Sequence, residues 1–471
     1  MSAANAMLVI LVSVVAMASG TSYEAIAGYI PGSNVSQHNH LDLDQAAMEA
    51  ALATLDWTTA MQHYSQGGSS KKSNGSFRTI QGFSTGAQSK MYSDCPGCPY
   101  MTYSKFYSYF GNFDYADMFV SAALTGTLMS WASGNHGPND FGALGDEARV
   151  EAVKKGSVYM NVWMYVIREL EDAYDDCMVC PDGTNCNPHS HNGDSVHALD
   201  EAVAFYTGSL EGTSGSQSGK LLYRLADKRC ENFGTCGRAG DATSGTSQVN
   251  VLLFEKFELG KILLGRGRCA DMRPIIKEIV SLMTVPLVQG SLRYAYKVGE
   301  VSTERSQKNA AEGATFSAAV LPLVHACDAD AAQTISDNLK FGSFDAGVYP
   351  DFTAVKLAFE STYECLGITC AQVGGLVDSS GNPLAPSTAA CTVSPTRMRI
   401  VSSATTDWAL VGGCIALGLL LFFLLFLAIW YFSCRTAKNP PSAYLASTVP
   451  VAMQASATSA TSCSASADSK V

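Results

Sequence analysis

The strongest constraint on this chain is the run Trp408–Phe432, which carries no charged side chain. At about 1.5 Å of rise per residue, such a helix crosses a hydrocarbon layer of about 30 Å with room to tilt. Trp408, Trp430 and Tyr431 sit at its edges, where interfacial aromatics belong. Arg435 and Lys438 follow and Asp407 precedes, so the positive-inside rule puts the C-terminal side in the cytosol. The polar segment 433–471 beyond the span argues against a GPI signal, whose apolar tail ends the chain. These features predict a single-pass type I protein in the cell membrane.

Residues 1–18 read as a secretory signal peptide. Their apolar core runs from Met7 to Met17 and ends in Ala16-Met17-Ala18, a small-x-small cleavage pattern. No Lys or Arg precedes the core, so a retained anchor is the alternative. Cysteine usage agrees with export. Of 15 Cys, Cys414, Cys434 and Cys463 lie in or beyond the span, leaving 15 − 3 = 12, an even number for pairing in an oxidising compartment. A zinc reading of the CxxC pairs Cys95/Cys98 and Cys177/Cys180 competes with disulfides there. Asn34-Val-Ser and Asn74-Gly-Ser are glycosylation sequons in the same exported region.

Between residues 20 and 406 the apolar spacing is helical far more often than alternating. Helices are predicted near 145–176, 194–210, 246–264, 271–297, 303–329 and 350–364. Earlier, Ala46, Ala50, Ala53, Trp57, Ala60 and Tyr64 form one stripe. The fold class is all-α: a disulfide-stapled helical ectodomain plus one transmembrane helix. Weak internal similarity, Tyr64…Phe77-Arg78 against Tyr206…Tyr223-Arg224, hints at a duplication into bundles spanning 20–190 and 191–375. A stalk at 376–406 and a low-complexity cytoplasmic tail at 433–471 complete the expected organisation. The formal charge of −11 argues against a nucleic-acid binder.

Candidate site residues are polar groups on apolar helix faces, where an unpaired charge is costly. On helix 303–329, Arg305, Asn309 and Glu312 continue the face of Phe316 and Val320. On helix 194–210, Tyr206 falls within the apolar stripe and Asp200 borders it. His197 and Glu201 have metal-like i,i+4 spacing but point away from that stripe, so the wheel predicts a solvated pair. Glu258 sits below Phe254 on a helix apolar nearly all round. Tyr64 reads as core, with Asp56 and His63 at the stripe's edge. The run Glu169, Glu171, Asp172, Asp175, Asp176 reads as a solvated helix end. No GxSxG elbow, HExxH helix, P-loop or GxGxxG turn occurs, so no enzyme class is indicated. Carboxylates with a phenol suit hard cations, Fe³⁺ in particular, and a small anion held by Arg completes such a sphere.

HALDEAVAFYTGSLEG (197–212) and LLYRLADKRCENFGTC (221–236) resemble the low-iron-inducible periplasmic protein family of algae. NFDYADMFVSAAL (112–124), VKKGSVYMNVWMYVIREL (153–170) and AAEGATFSAAVLP (310–322) fit the same family, whose closest description is phytotransferrin, the iron-starvation-induced surface proteins of diatoms and other marine algae. The resemblance covers roughly residues 40–375. It implies a non-enzymatic receptor that binds Fe³⁺ with carbonate at the cell surface and delivers it by endocytosis into vesicles. It also implies partners in the endocytic machinery and a cell-surface reductase. On that reading Asp200, Tyr206, Glu258 and Glu312 are expected to form one metal site, with Arg305 or Arg224 holding the anion. An adhesion or signalling ectodomain with no metal site is the alternative, and a metal-dependent hydrolase ranks third.

Overall fold

A computed structural model describes residues 23–179 and 194–391. The signal peptide, the span 408–432, the tail 433–471, the end of the stalk, Cys180 and Cys186 lie outside the described residues. What is described is all-α. Short helices α1 (Ser36–Asn39) and α2 (Leu41–Ala53) lead to α3 (Trp57–Gln66) and α4 (Ile80–Thr85). Then follow α5 (Met101–Phe110), α6 (Tyr115–Thr125) and a two-residue ribbon, β1 (Leu128–Met129) against β2 (Asn139–Asp140). Next, α7 (Asp146–Gly156), a π-helical turn (Ser157–Val162) and α8 (Trp163–Val179) form one continuous rod. The rest is α9 (Ser195–Thr207), α10 (Leu222–Phe233), α11 (Gln248–Gly265), α12 (Cys269–Gly299), α13 (Gln307–Cys327), α14 (Ala329–Leu339), α15 (Phe352–Leu366) and α16 (Cys370–Val373).

The sequence stripe 46–64 is broken in two. Leu55 takes φ 57° and Asp56 caps α3 by accepting from the Thr59 N–H at 3.0 Å, so a new helix starts there. The long helices fall where their periodicity put them, except that α13 begins only at Gln307, with Ser306 as its cap.

The centre of the molecule is α12 packed on α13, with α7, α8, α11 and α15 around the pair. Both helices are long and apolar enough to cross a membrane, yet 78% of their most apolar windows is buried inside the fold. They are core helices. Pro286 interrupts the ladder of α12, and the Trp163 indole donates to the nearby Met283 carbonyl at 3.1 Å. One continuous apolar core runs from Tyr29 to Leu376, so the segments 20–190 and 191–375 share a core instead of keeping one each. The reason is physical: α8 packs on α9 and α7 on α13, across the expected boundary.

All ten described cysteines pair, as Cys95–Cys98, Cys177–Cys269, Cys230–Cys236, Cys327–Cys365 and Cys370–Cys391. Cys95, Cys98 and Cys177 of the two CxxC motifs are thus disulfide sulfurs, and Cys180 lies outside the described residues. Cys177–Cys269 ties α8 to α12 over a separation of 92 residues, a closure worth about 4–5 kcal/mol in the chain-entropy account.

Candidate metal centre

The α9 helix starts at Asp194, whose carboxylate accepts from the Val196 N–H at 2.9 Å. One turn on, His197 and Glu201 lie on one face. The wheel predicts solvent there, and the structure corrects this. The α9 helix is packed by α8, α1, α10 and α11, so its polar face is enclosed as well. His197 is 8% exposed. From α1, His38, 6% exposed, comes to meet the pair.

Glu201 Oε1 stands 3.0 Å from His38 Nε2 and 3.0 Å from His197 Nε2. One ligand atom from each of the three residues lies within 4.8 Å of the others. The tautomer follows from the bonds behind the site. Asp200 accepts from the Tyr29 hydroxyl at 2.6 Å, the Ser33 N–H at 2.8 Å and the Ser33 hydroxyl at 2.7 Å. With its only proton on Asp200, the Ser33 oxygen accepts from His197 Nδ1–H at 2.7 Å. His197 Nε2 is left facing a carboxylate oxygen, which demands a proton or a metal between them. Burial pulls the His197 pKa down, but the hydrogen bond and charge of Glu201 outweigh it, and the net shift is upward. Burial, with the Arg78 charge, wins at His38 and lowers it. Burial pushes the Glu201 carboxyl up, and the two imidazoles overcome that and hold it well below the carboxylate range.

The cluster opens on a cavity of about 380 Å³. Its wall carries four cations, Lys72, Arg78, Lys90 and Arg168, and five carboxylates, Glu169, Asp172, Asp176, Asp194 and Glu201. Arg78 Nη2 contacts His38 Nε2 directly. Lys90 donates to the Tyr165 hydroxyl at 3.1 Å, and burial with the Arg168 charge pulls its pKa down. Arg168 pairs with Glu169 at 2.5 Å and Asp172 at 3.0 Å. Burial pushes Glu169 up to about 8 against the pull of Arg168, and its Oε1 has no partner. The run read as a solvated helix end is therefore inward: Glu169, Glu171 and Asp175 are buried. Imidazole nitrogens and carboxylate oxygens are donors that iron accepts, and the adjoining guanidinium and ammonium groups suit an oxyanion.

The expected site residues do not gather in one place. Asp200 sits behind the cluster and positions His197 through Ser33. Glu258 is 46% exposed and pairs with Lys261 at 2.9 Å, so burial gives no reason for a metal there. The Tyr206 hydroxyl donates to Asn250 Oδ1 at 2.6 Å, and Asn250 Nδ2 donates to Asp227 at 2.7 Å, a network of its own. Glu312, buried on α13, accepts from the Tyr294 hydroxyl and lies 3.6 Å from Lys155 Nζ. Arg305 precedes α13 and donates to the Val298 and Gly299 carbonyls at the end of α12, a helix cap. Arg224 Nη1 stands 3.9 Å from Glu231. Tyr64 is core as expected, bonded to Asp117 at 3.0 Å. Sequence reasoning dismissed His197 and Glu201 and missed His38, Arg78, Lys90 and Arg168. The i,i+4 spacing was the only local signal.

The profile of the low iron-inducible periplasmic proteins matches residues 4–382. The chain belongs to that family. Its description ties the chain to iron limitation and to a place outside the plasma membrane, in keeping with the disulfides. No curated protein and no solved structure matches the chain.

Proposed function

We propose that the protein is a cell-surface receptor, not an enzyme, that binds ferric iron with a carbonate anion and carries it inward by endocytosis. The observation that carries this reading is the shared contact of Glu201 Oε1 with two imidazole nitrogens at 3.0 Å. His38, His197 and Glu201 would hold the ion. Arg78 and Lys90, on the same wall, would hold the anion, and Glu169 adds a carboxylate on the cavity wall. Protons compete with iron for each of these donors, so acidification releases the cargo. The two-imidazole, one-carboxylate set is also one that ferrous iron accepts, which makes a ferrous carrier the second reading.

The test is retention of iron by full-length protein after loading with ferric citrate, with and without bicarbonate, at pH 8 and pH 5. Retention at pH 8 that needs bicarbonate and is lost at pH 5 is expected. Absence of retained iron at pH 8 with bicarbonate overturns the proposal. Retention only after loading under reductant favours the ferrous reading.

A further inference from the structure

A second buried polar junction lies where α7, α10, α12 and α13 meet, and it shares no residue with the cavity. Close helix approach builds it: a Cβ at Gly290 would overlap the Phe316 ring, so α12 and α13 touch there. Phe316 stacks between Tyr159, on the π-helical turn, at 4.8 Å and Tyr294 at 5.8 Å. The Arg229 guanidinium lies over the same ring at 5.8 Å.

Arg229 is 8% exposed, and its Nε and Nη1 have no acceptor. Arg293 Nε has none either. Among the described residues no carboxylate comes within 4.0 Å of either guanidinium. The carboxylates of the junction are already taken: Glu151 pairs with Lys155 at 2.8 Å and Lys154 at 3.1 Å, and Glu312 accepts from the Tyr294 hydroxyl with Lys155 Nζ 3.6 Å away. Lysine escapes such a position by losing its proton, but arginine cannot. A buried guanidinium without a counter-charge is among the costliest arrangements a fold tolerates. Water would satisfy the N–H groups and leave the charge. The planar fork of arginine matches the two oxygens of a small oxyanion. Lys228, next to Arg229 and exposed, adds positive charge on the solvent side.

We propose that Arg229, with Arg293, forms a binding site for a small oxyanion, carbonate or phosphate in class, separate from the metal cavity and independent of iron. The test is thermal unfolding of iron-free full-length protein at fixed pH in chloride, with phosphate or bicarbonate added in turn. At saturation an upward shift of about 2 °C or more is expected with at least one ion; which ion gives it identifies the occupant. Arg229→Met should lose the shift while melting no lower than wild type in chloride, because it removes an unpaired buried charge. Arg293→Met, at a half-buried position, should reduce the shift. No shift with either ion overturns the proposal, as does an unchanged shift in both Arg229→Met and Arg293→Met.

Discussion

Two ends of one helix carry buried polar groups of opposite character. At the end of α9, Tyr206 enters a network that runs from donor to acceptor: hydroxyl to amide oxygen, amide nitrogen to carboxylate, backbone N–H of Ser247 to the same carboxylate at 2.8 Å. Toward its start, His197 and Glu201 line a cavity, and His38 from α1 brings a third lone pair to the same point. The first arrangement is bonded from donor to acceptor along its length, with only Asp227 Oδ2 left over, and the second is completed by a proton or a metal. Burial of polar groups is common to both. What separates them is whether lone pairs converge on one point, and whether a cavity adjoins them.

The largest effect expected from this contrast is on iron. Glu201→Gln should weaken binding at least about 100-fold, about 2.7 kcal/mol, while Tyr206→Phe leaves it within about twofold. An iron titration with the order reversed would break the contrast.

A buried imidazole outside the cavity gives the second test. His136 meets Ser317 Oγ at 3.2 Å, and burial pushes its pKa down to about 4. The unfolded chain takes up this proton near the ordinary value of 6.5, the folded one only near 4. Stability from this group is therefore complete above pH 6.5 and is lost as pH falls toward 4, by about 2 kcal/mol at pH 5. His136→Gln should flatten the stability difference between pH 7.5 and pH 5 by that amount in denaturant titrations, with iron binding at pH 7.5 unaffected.

Asp200 lies between the two regions. Because it fixes His197 through Ser33, Asp200→Asn should cost about tenfold in iron affinity, as groups behind metal ligands do. Equal affinity would reduce Asp200 to a structural role. The smallest effect is expected at Tyr206→Phe, about 1 kcal/mol of stability in the same titrations, from the lost bond to Asn250.

The helical-face argument places its helices well, but the residues it selects do not gather at one point. Tyr206 and Asp200 do intrude on buried faces, as the 3.6-residue period says. The inference from intrusion to ligation fails because Asn250, Tyr29 and Ser33, distant in sequence, satisfy them. Arg305 fails for a local reason: Ser306 caps α13, so the wheel does not extend back to residue 305. A wheel assumes one buried side and so places His197 and Glu201 in solvent, whereas α9 is packed by α8, α1, α10 and α11 and turns that face to a cavity.

Periodicity by itself determined an all-α domain, because it depends only on local spacing. The family, too, is written in short local segments. The partners of several buried polar groups depend on chain crossings of more than 100 residues, such as His38 to Glu201 or Lys155 to Glu312. Only the packed tertiary structure decided those, because no local pattern encodes which distant donor will fill an acceptor or leave it open for an ion.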